Sequence, residues 1–129
     1  MKKKTAKSEA PFAYQGLDRV IHERARLSVL TSLITHPAGL SFVDLKRLCD
    51  LTDGNLARHL QVLEEGRMVR IQKDGQSGRS QTMARITASG RKRYLEYLTT
   101  LEQVVRDAAL ASRTQQEDRL PLKLSPLTR

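Results

Sequence analysis

Apolar residues recur at helical spacing in several stretches of the chain. Between Asp18 and His36 they fall on one broad face, and the pattern ends at Pro37, because proline disfavours helical geometry in the residue before it. A second helix is predicted to begin after Ser41, which has an acidic residue, Asp44, three positions later, at the spacing of a capping box. The residues expected on the apolar face of this helix are Phe42, Leu45, Leu48 and Cys49.

A third helix follows after a turn of three residues. Thr52 is predicted to cap its first turn, and Gly66 to end it in the left-handed conformation. Leu56, Leu60 and Leu63 recur at i, i+4 and i+7, which predicts one buried stripe. Two helices joined by so short a turn match the helix-turn-helix unit.

After the third helix the spacing of apolar residues changes from helical to alternating. Val69 and Ile71 alternate with polar residues, and Thr82, Ala84 and Ile86 alternate with Met83 and Arg85, as in strands with one buried face. The segment between them contains two glycines and no apolar residue, so we predict a hairpin with a long mobile tip. A hairpin directly after such a helix is the wing of a winged-helix domain.

A last helix is predicted to begin after Thr87. Its apolar residues follow the rhythm of a helix-pairing seam, which favours dimerisation, although folding back onto the chain's own core remains an alternative. The residues predicted for the dimer interface are Tyr94, Leu98, Leu101, Val105 and Ala108.

The fold expected from these patterns is mainly α with a small β-hairpin: a winged helix-turn-helix in the order helix, helix, helix, hairpin, helix. Residues 113–129 have two prolines and no periodicity. The predicted organisation is a flexible basic arm (1–16), a DNA-binding domain (17–87), a dimerisation helix (88–112) and a disordered tail (113–129).

The net charge of the chain indicates which kind of partner it binds. The 129 residues carry a net charge of +9 and give a pI of about 10.2, which is typical of proteins that bind polyanions. Residues 1–16 contribute +3 (four Lys, one Glu) and residues 67–93 contribute +7 (eight Lys or Arg, one Asp). Residues 41–66 sum to −2 (three basic, five acidic), so we expect affinity to come mainly from the arm and the wing.

Other classes of protein find little support. No apolar run is long enough to span a membrane, and no secretory signal begins the chain, so a cytoplasmic location is expected. The one cysteine, Cys49, is predicted to be a core thiol, and neither it nor the three histidines have metal-ligand spacing. No nucleophile–base pair or carboxylate dyad is placed by a motif, so we predict neither an enzyme nor a metal or other cofactor.

The third helix has a polar face opposite its leucine stripe. Arg58 on this face is the first candidate for base recognition, because arginine pairs with guanine through two hydrogen bonds. Asn55 suits adenine or a phosphate, and Gly54 would let the helix N-terminus approach a phosphate, whereas Asp53 would repel one. The residues of this helix predicted to contact DNA are Thr52, Gly54, Asn55, Arg58, His59 and Gln61.

The wing supplies the second group of candidates. Arg79 near its tip is predicted to contact the minor groove or a phosphate. Arg70, Lys73 and Arg85 are the supporting cations. Whether the run 91–93, which opens the last helix, faces DNA stays open.

From Leu17 to Val105 the chain resembles winged-helix transcription regulators of the MarR and ArsR type. The matching segments are LDRVIHERARLSVLTSL, SFVDLKRLCDLTDGNLARHLQVLEEGRMV, the basic wing and ARITASGRKRYLEYLTTLE. The resemblance implies a homodimer that binds a pseudo-palindromic operator in double-stranded DNA, most often as a repressor. It implies no particular small-molecule effector.

Two hypotheses of different kinds follow. The first is a sequence-specific, homodimeric transcriptional regulator. The second is a winged-helix module that binds protein and associates only loosely with nucleic acid. The operator, the regulated genes, the sign of regulation and the existence of an effector are not encoded in any recognisable pattern.

Overall fold

A computed structural model describes residues 10–74 and 81–119 of the chain. This part forms four helices and three strands. In chain order they are α1 (Arg24–Ile34), β1 (Leu40–Ser41), α2 (Phe42–Cys49), α3 (Asp53–Glu65), β2 (Val69–Asp74), β3 (Gln81–Ile86) and α4 (Ala88–Arg119). The chain divides into two compact units: Gln15–Tyr97, and Leu98–Arg129 together with the residues up to Tyr14.

The core of the first unit is built from the helical stripes that the sequence predicts. Leu30 of α1, Leu45 of α2, and Leu56 and Leu63 of α3 are completely buried. Burial of a leucine side chain contributes roughly 1.5–3 kcal/mol, so these contacts hold the three helices together. The predicted winged-helix fold, with three helices before the hairpin, is confirmed.

The three strands form one antiparallel sheet in the order β1-β3-β2. Val69 pairs with Ile86 and Ile71 with Ala84, so these four apolar residues share one face of the sheet. The predicted hairpin is thus confirmed, whereas β1 was not predicted. Gly39 precedes β1 with φ +106°, and an added Cβ there would lie only 2.9 Å from the Ala84 carbonyl oxygen.

The first helix begins later than predicted. Residues 18–23 form turns in which the backbone N–H groups of Ile21 and His22 donate to the Asp18 carbonyl. Glu23 then caps α1, because its extended backbone lets its carboxylate accept from the Arg26 N–H at 2.8 Å. The prediction that the helix starts at Asp18 was wrong, since the turn has apolar residues at positions that also fit a helix.

The end of α3 lies at Gly66 as predicted, but the conformation of this residue differs from the prediction. Gly66 has φ −82° and is not left-handed; the left-handed residue is the next one, Arg67, with φ +62°. The hydroxyls of Thr87 and Ser89 both donate to the Arg67 carbonyl, at 2.8 and 2.9 Å, and hold the turn. An added Cβ at Gly66 would make only ordinary contacts, so neither its conformation nor its surroundings require glycine.

The second helix and its turn were predicted correctly except at one residue. Ser41 caps α2 by accepting from the Asp44 N–H at 3.0 Å. Leu48, predicted to lie on the apolar face, is 51% exposed, because in so short a helix Leu45 and Cys49 occupy the core. Asp50 closes α2 in the left-handed conformation.

The last helix starts as predicted and runs further. The Thr87 hydroxyl accepts from the Gly90 N–H at 2.9 Å. The helix continues to Arg119, so its predicted end at residue 112 was too early, and residues 113–119 of the predicted disordered tail are helical. Among the described residues, no helix is long and apolar enough to cross a membrane.

In the second unit the end of the predicted N-terminal arm lies on α4. The Tyr14 hydroxyl donates to Asp107, and the rings of Phe12 and Tyr14 are 6.2 Å apart. The start of the arm (1–9), the wing tip (75–80) and the end of the tail (120–129), all predicted to be flexible, lie outside the described residues.

Candidate nucleic-acid interface

The side of α3 opposite its buried leucines is polar and open to solvent. Gly54, Asn55, Arg58 and Gln61 are all exposed, as the helical spacing predicted. The Arg58 guanidinium donates to the Asn55 amide oxygen at 2.8 Å, so these two side chains are already oriented together on this face. We call these four residues the outward face of α3. Its groups are of the kind that recognise base edges in a major groove.

Two contacts at the N-terminus of α3 bear on whether it can bind an anion. The Thr52 hydroxyl accepts from the Asn55 N–H at 3.2 Å, which confirms the predicted cap. Asp53, whose charge would repel a phosphate, lies 2.8 Å from Lys46 of α2. Both side chains are at least one third exposed, so the pair contributes little stability, but it neutralises the acidic group beside the helix start.

Gly54 has no structural reason to be glycine. An added Cβ would meet nothing within 4 Å, and the residue lies inside a helix, where glycine destabilises relative to alanine. A glycine that the fold does not need is understandable if a ligand approaches the backbone closely at this point.

His59 is not on the outward face, although it was predicted to contact DNA. Its side chain is 14% exposed, and its Nδ1 lies 3.1 Å from the guanidinium of Arg26 in α1 and 3.9 Å from the Glu23 carboxylate. Because its ring is held against α1, we leave His59 out of the interface.

The wing presents cations on both faces of its hairpin. Arg70 and Arg85 are directly opposed in the β2–β3 register and exposed. Lys73 is also exposed but has the parity of the buried Val69, so it belongs to the other face. Arg79, the predicted tip contact, lies outside the described residues.

Arg93 has a structural role that the sequence did not indicate. Its guanidinium donates twice to one Asp18 carboxylate oxygen, at 2.7 and 3.0 Å, and also to the Gly66 carbonyl at 3.2 Å. It thereby joins α4 to the turn before α1 and to the end of α3. Of the basic run at the start of α4, only Arg91 and Lys92 are exposed.

Tyr94 and Tyr97, near the start of α4, belong to the first unit and are buried in it. Tyr94 is 5% exposed and shares a hydrogen bond of 2.7 Å with Thr31, so one of the predicted dimer contacts is covered by its own chain. Tyr97 is 1% exposed and its hydroxyl lies 2.7 Å from His22 Nδ1; burial, with a smaller contribution from Tyr94, raises the pKa of Tyr97.

The remaining predicted dimer contacts lie in the second unit. Leu98 and Leu101 are half-buried, whereas Val105 is 61% exposed and Ala108 is exposed. Leu110, five residues further on, is as exposed as Val105 but lies about 140° further around the helix. Leu98, Leu101, Val105 and Ala108 share one side of α4, and Val105 and Ala108 leave that side open to solvent.

The single cysteine and the histidines offer no metal site. Cys49 is buried, as predicted, with its sulfur 3.5 Å from the Ser32 hydroxyl. Within the described parts of the chain, no three His, Cys, Asp or Glu side chains are grouped to hold a metal ion.

Comparison with known proteins agrees with this geometry. The profile of the winged helix DNA-binding domain family matches residues 25–105. An uncharacterized protein of Methanocaldococcus jannaschii is 33% identical over 89 residues, which are 67% of this chain and 92% of that protein.

Two solved structures share the fold. A transcriptional regulator homologue from Pyrococcus horikoshii has a TM-score of 0.65 at 25% identity, covering 78% of this chain and 94% of its own. MepR of S. aureus, solved in complex with DNA, has a TM-score of 0.62 at 18% identity, covering 87% and 90%.

The fold and the polar face of α3 are therefore those of a winged-helix DNA-binding protein. The chain belongs to the winged helix DNA-binding domain family, and it has the fold of MarR-type regulators.

Proposed function

We propose that the chain is a sequence-specific regulator that acts as a homodimer on a pseudo-palindromic operator, as a repressor, in the cytoplasm. The observation that carries this proposal is the outward face of α3, on which Asn55 and Arg58 are exposed and oriented by one another. Sequence is read by groups of this kind, whereas phosphate contacts position the protein.

The homodimer is supported by the second unit. Val105 and Ala108 leave apolar area in solvent on one side of α4, which a second copy would bury. Two-fold dimers are the commonest oligomers, and a two-fold axis suits two half-sites one helical turn apart. Repression follows most simply if the dimer occupies DNA that the polymerase needs.

A small-molecule effector remains part of the proposal without a defined site. NadR, a structure of the same fold, was solved with 4-hydroxyphenylacetate. None of the described residues of this chain identifies a corresponding ligand, so we assign no effector residues.

The experiment that tests the proposal is selection from random-sequence duplex DNA at near-physiological salt, followed by sequencing. We expect enrichment of an inverted repeat with half-sites about one helical turn apart. Retention of DNA without any enriched motif would overturn sequence specificity and favour a protein-binding module. Enrichment of a single half-site would overturn the dimer.

A further inference from the structure

Two like charges face each other on the wing. Arg70 and Arg85 are directly opposite in the antiparallel register, and both are exposed. Like charges at directly opposed positions of a β-ladder destabilise the sheet. The repulsion between the two guanidinium groups is therefore unfavourable in the free protein, and a bound anion would offset it.

The two arginines border a groove that would admit such an anion. The groove has a volume of about 520 Å³ and is lined by side chains of β2 and β3 and by Ala38. Gln72 and Met83, the next opposed pair on the same face, continue it along the sheet. Both guanidinium groups thus border one concave surface.

Neither guanidinium is neutralised by a described side chain. Arg85 makes one long hydrogen bond, of 3.5 Å, to the Gln72 amide oxygen. Among the described carboxylates, none lies within salt-bridge distance of Arg70 or Arg85. This contrasts with Arg47 and Arg93, which are paired with acids at 2.8 and 2.7 Å.

We propose that Arg70 and Arg85 together bind one phosphate group in this groove. Each guanidinium is a planar fork of N–H donors, and a phosphate has enough acceptor oxygens and charge to satisfy two forks at once. Binding the phosphate would convert the repulsion between the two cations into attraction by a shared anion.

If the phosphate belongs to DNA, the position of Arg70 and Arg85 on the sheet indicates which DNA phosphate they bind. Val69 and Ile71, which flank Arg70, are directed toward the helices, so Arg70 lies on the face of the sheet that points away from α3. A DNA phosphate held there lies outside the base pairs that α3 contacts. If the phosphate belongs to DNA, the inference rests on the proposed function. The other source of the phosphate is a free phosphorylated compound.

The duplex arm of the test measures affinity against salt for R70Q, R85Q and the double variant on random-sequence DNA. If one phosphate is shared, each single change lowers affinity about fivefold to tenfold, and the double variant loses at most about twofold more. The slope of log K against log salt falls by about 0.9 in all three. Losses that multiply, with a slope falling by about 1.8 in the double variant, would overturn sharing.

The second arm uses pyrophosphate and the DNA-free protein in equilibrium dialysis. Saturable binding that either single change abolishes, with no change in duplex affinity, assigns the groove to a free phosphate compound. R24Q, which removes an exposed arginine of α1, is the charge-matched control in both arms. If all variants bind duplex and pyrophosphate as R24Q does, the inference is wrong.

The two proposals fail separately. A protein that enriches an operator but shows no coupling between positions 70 and 85 keeps its proposed function and loses this inference. A protein that enriches no motif, yet shows the coupled loss, loses sequence specificity and keeps the phosphate site.

Discussion

At the scale of single residues, exposure on α3 separates side chains that serve the fold from those free for a ligand. Helical projection placed Asn55, Arg58 and Gln61 outside correctly, because three buried leucines fix the orientation of the helix. It placed His59 beside this face, and in the structure the ring of His59 lies next to Arg26 of α1. His59 follows Leu56 by three residues and precedes Leu63 by four, so the helical spacing puts it at the edge of the buried stripe, whereas its partner Arg26 is distant in sequence.

Gly54 gives a prediction in which stability and binding change in opposite directions. G54A should stabilise the free protein by about 0.5–1 kcal/mol, because alanine is the better helix former and its Cβ meets open space. The same methyl should lower DNA affinity roughly fivefold to tenfold by holding a phosphate away from the helix N-terminus. Thermal unfolding and fluorescence anisotropy measure the two effects. Unchanged affinity would show that DNA does not approach this point.

At the scale of elements, the junction of α3, α4 and the turn before α1 depends on Arg93. R93Q should destabilise the first unit by about 1–2 kcal/mol, since it removes charge-assisted bonds to Asp18 and a bond to the Gly66 carbonyl. The neighbouring K92Q, at an exposed position, should change stability by less than about 0.5 kcal/mol. Denaturant unfolding of both variants is the measurement, and equal effects would contradict the role given to Arg93.

The contact of Tyr14 with α4 predicts a pH effect. The Tyr14 hydroxyl, and to a smaller extent Gln103, donate to Asp107 and hold the pKa of that carboxyl below its ordinary 3.8. A lowered folded pKa means that the stabilisation is present above pH 3.8 and is lost as pH falls through the folded pKa. The same bond raises the pKa of Tyr14 above 10.0, so the phenol stays protonated across this range.

Carboxyl carbon NMR follows Asp107 directly. In Y14F its titration midpoint should rise toward 3.8, and in Q103A it should rise less, since the tyrosine bond is the larger cause. An identical midpoint in Y14F and the unchanged protein would show that the contact is not formed in solution.

A helix or strand can be predicted from the sequence when enough of its apolar residues follow the helical or the alternating spacing. The helix α3 has three leucines in one stripe and a capping threonine, and its limits follow from them. The strand β1 has two residues, too few to show alternation, and exists because β3 offers it a partner at Ala84. The start of α1 was missed because Glu23, an uncommon cap, begins it.

At the scale of the whole molecule, the dimer is the proposal that most needs its own test. V105D should shift the protein to monomer in analytical ultracentrifugation, because a carboxylate in an apolar interface is costly to desolvate. T114D, at an exposed position on the opposite side of α4, is the control. A V105D protein that sediments as the unchanged protein does would contradict an interface at Val105.

The central claim is that the outward face of α3 reads sequence, and Arg58 tests it most directly. The measurement is the affinity of R58A for the selected operator and for a scrambled duplex of equal length, with R24A as the charge-matched control. We predict a loss of about 1–3 kcal/mol on the operator and little change on the scrambled duplex. Equal losses on both duplexes, or none on either, would contradict the account.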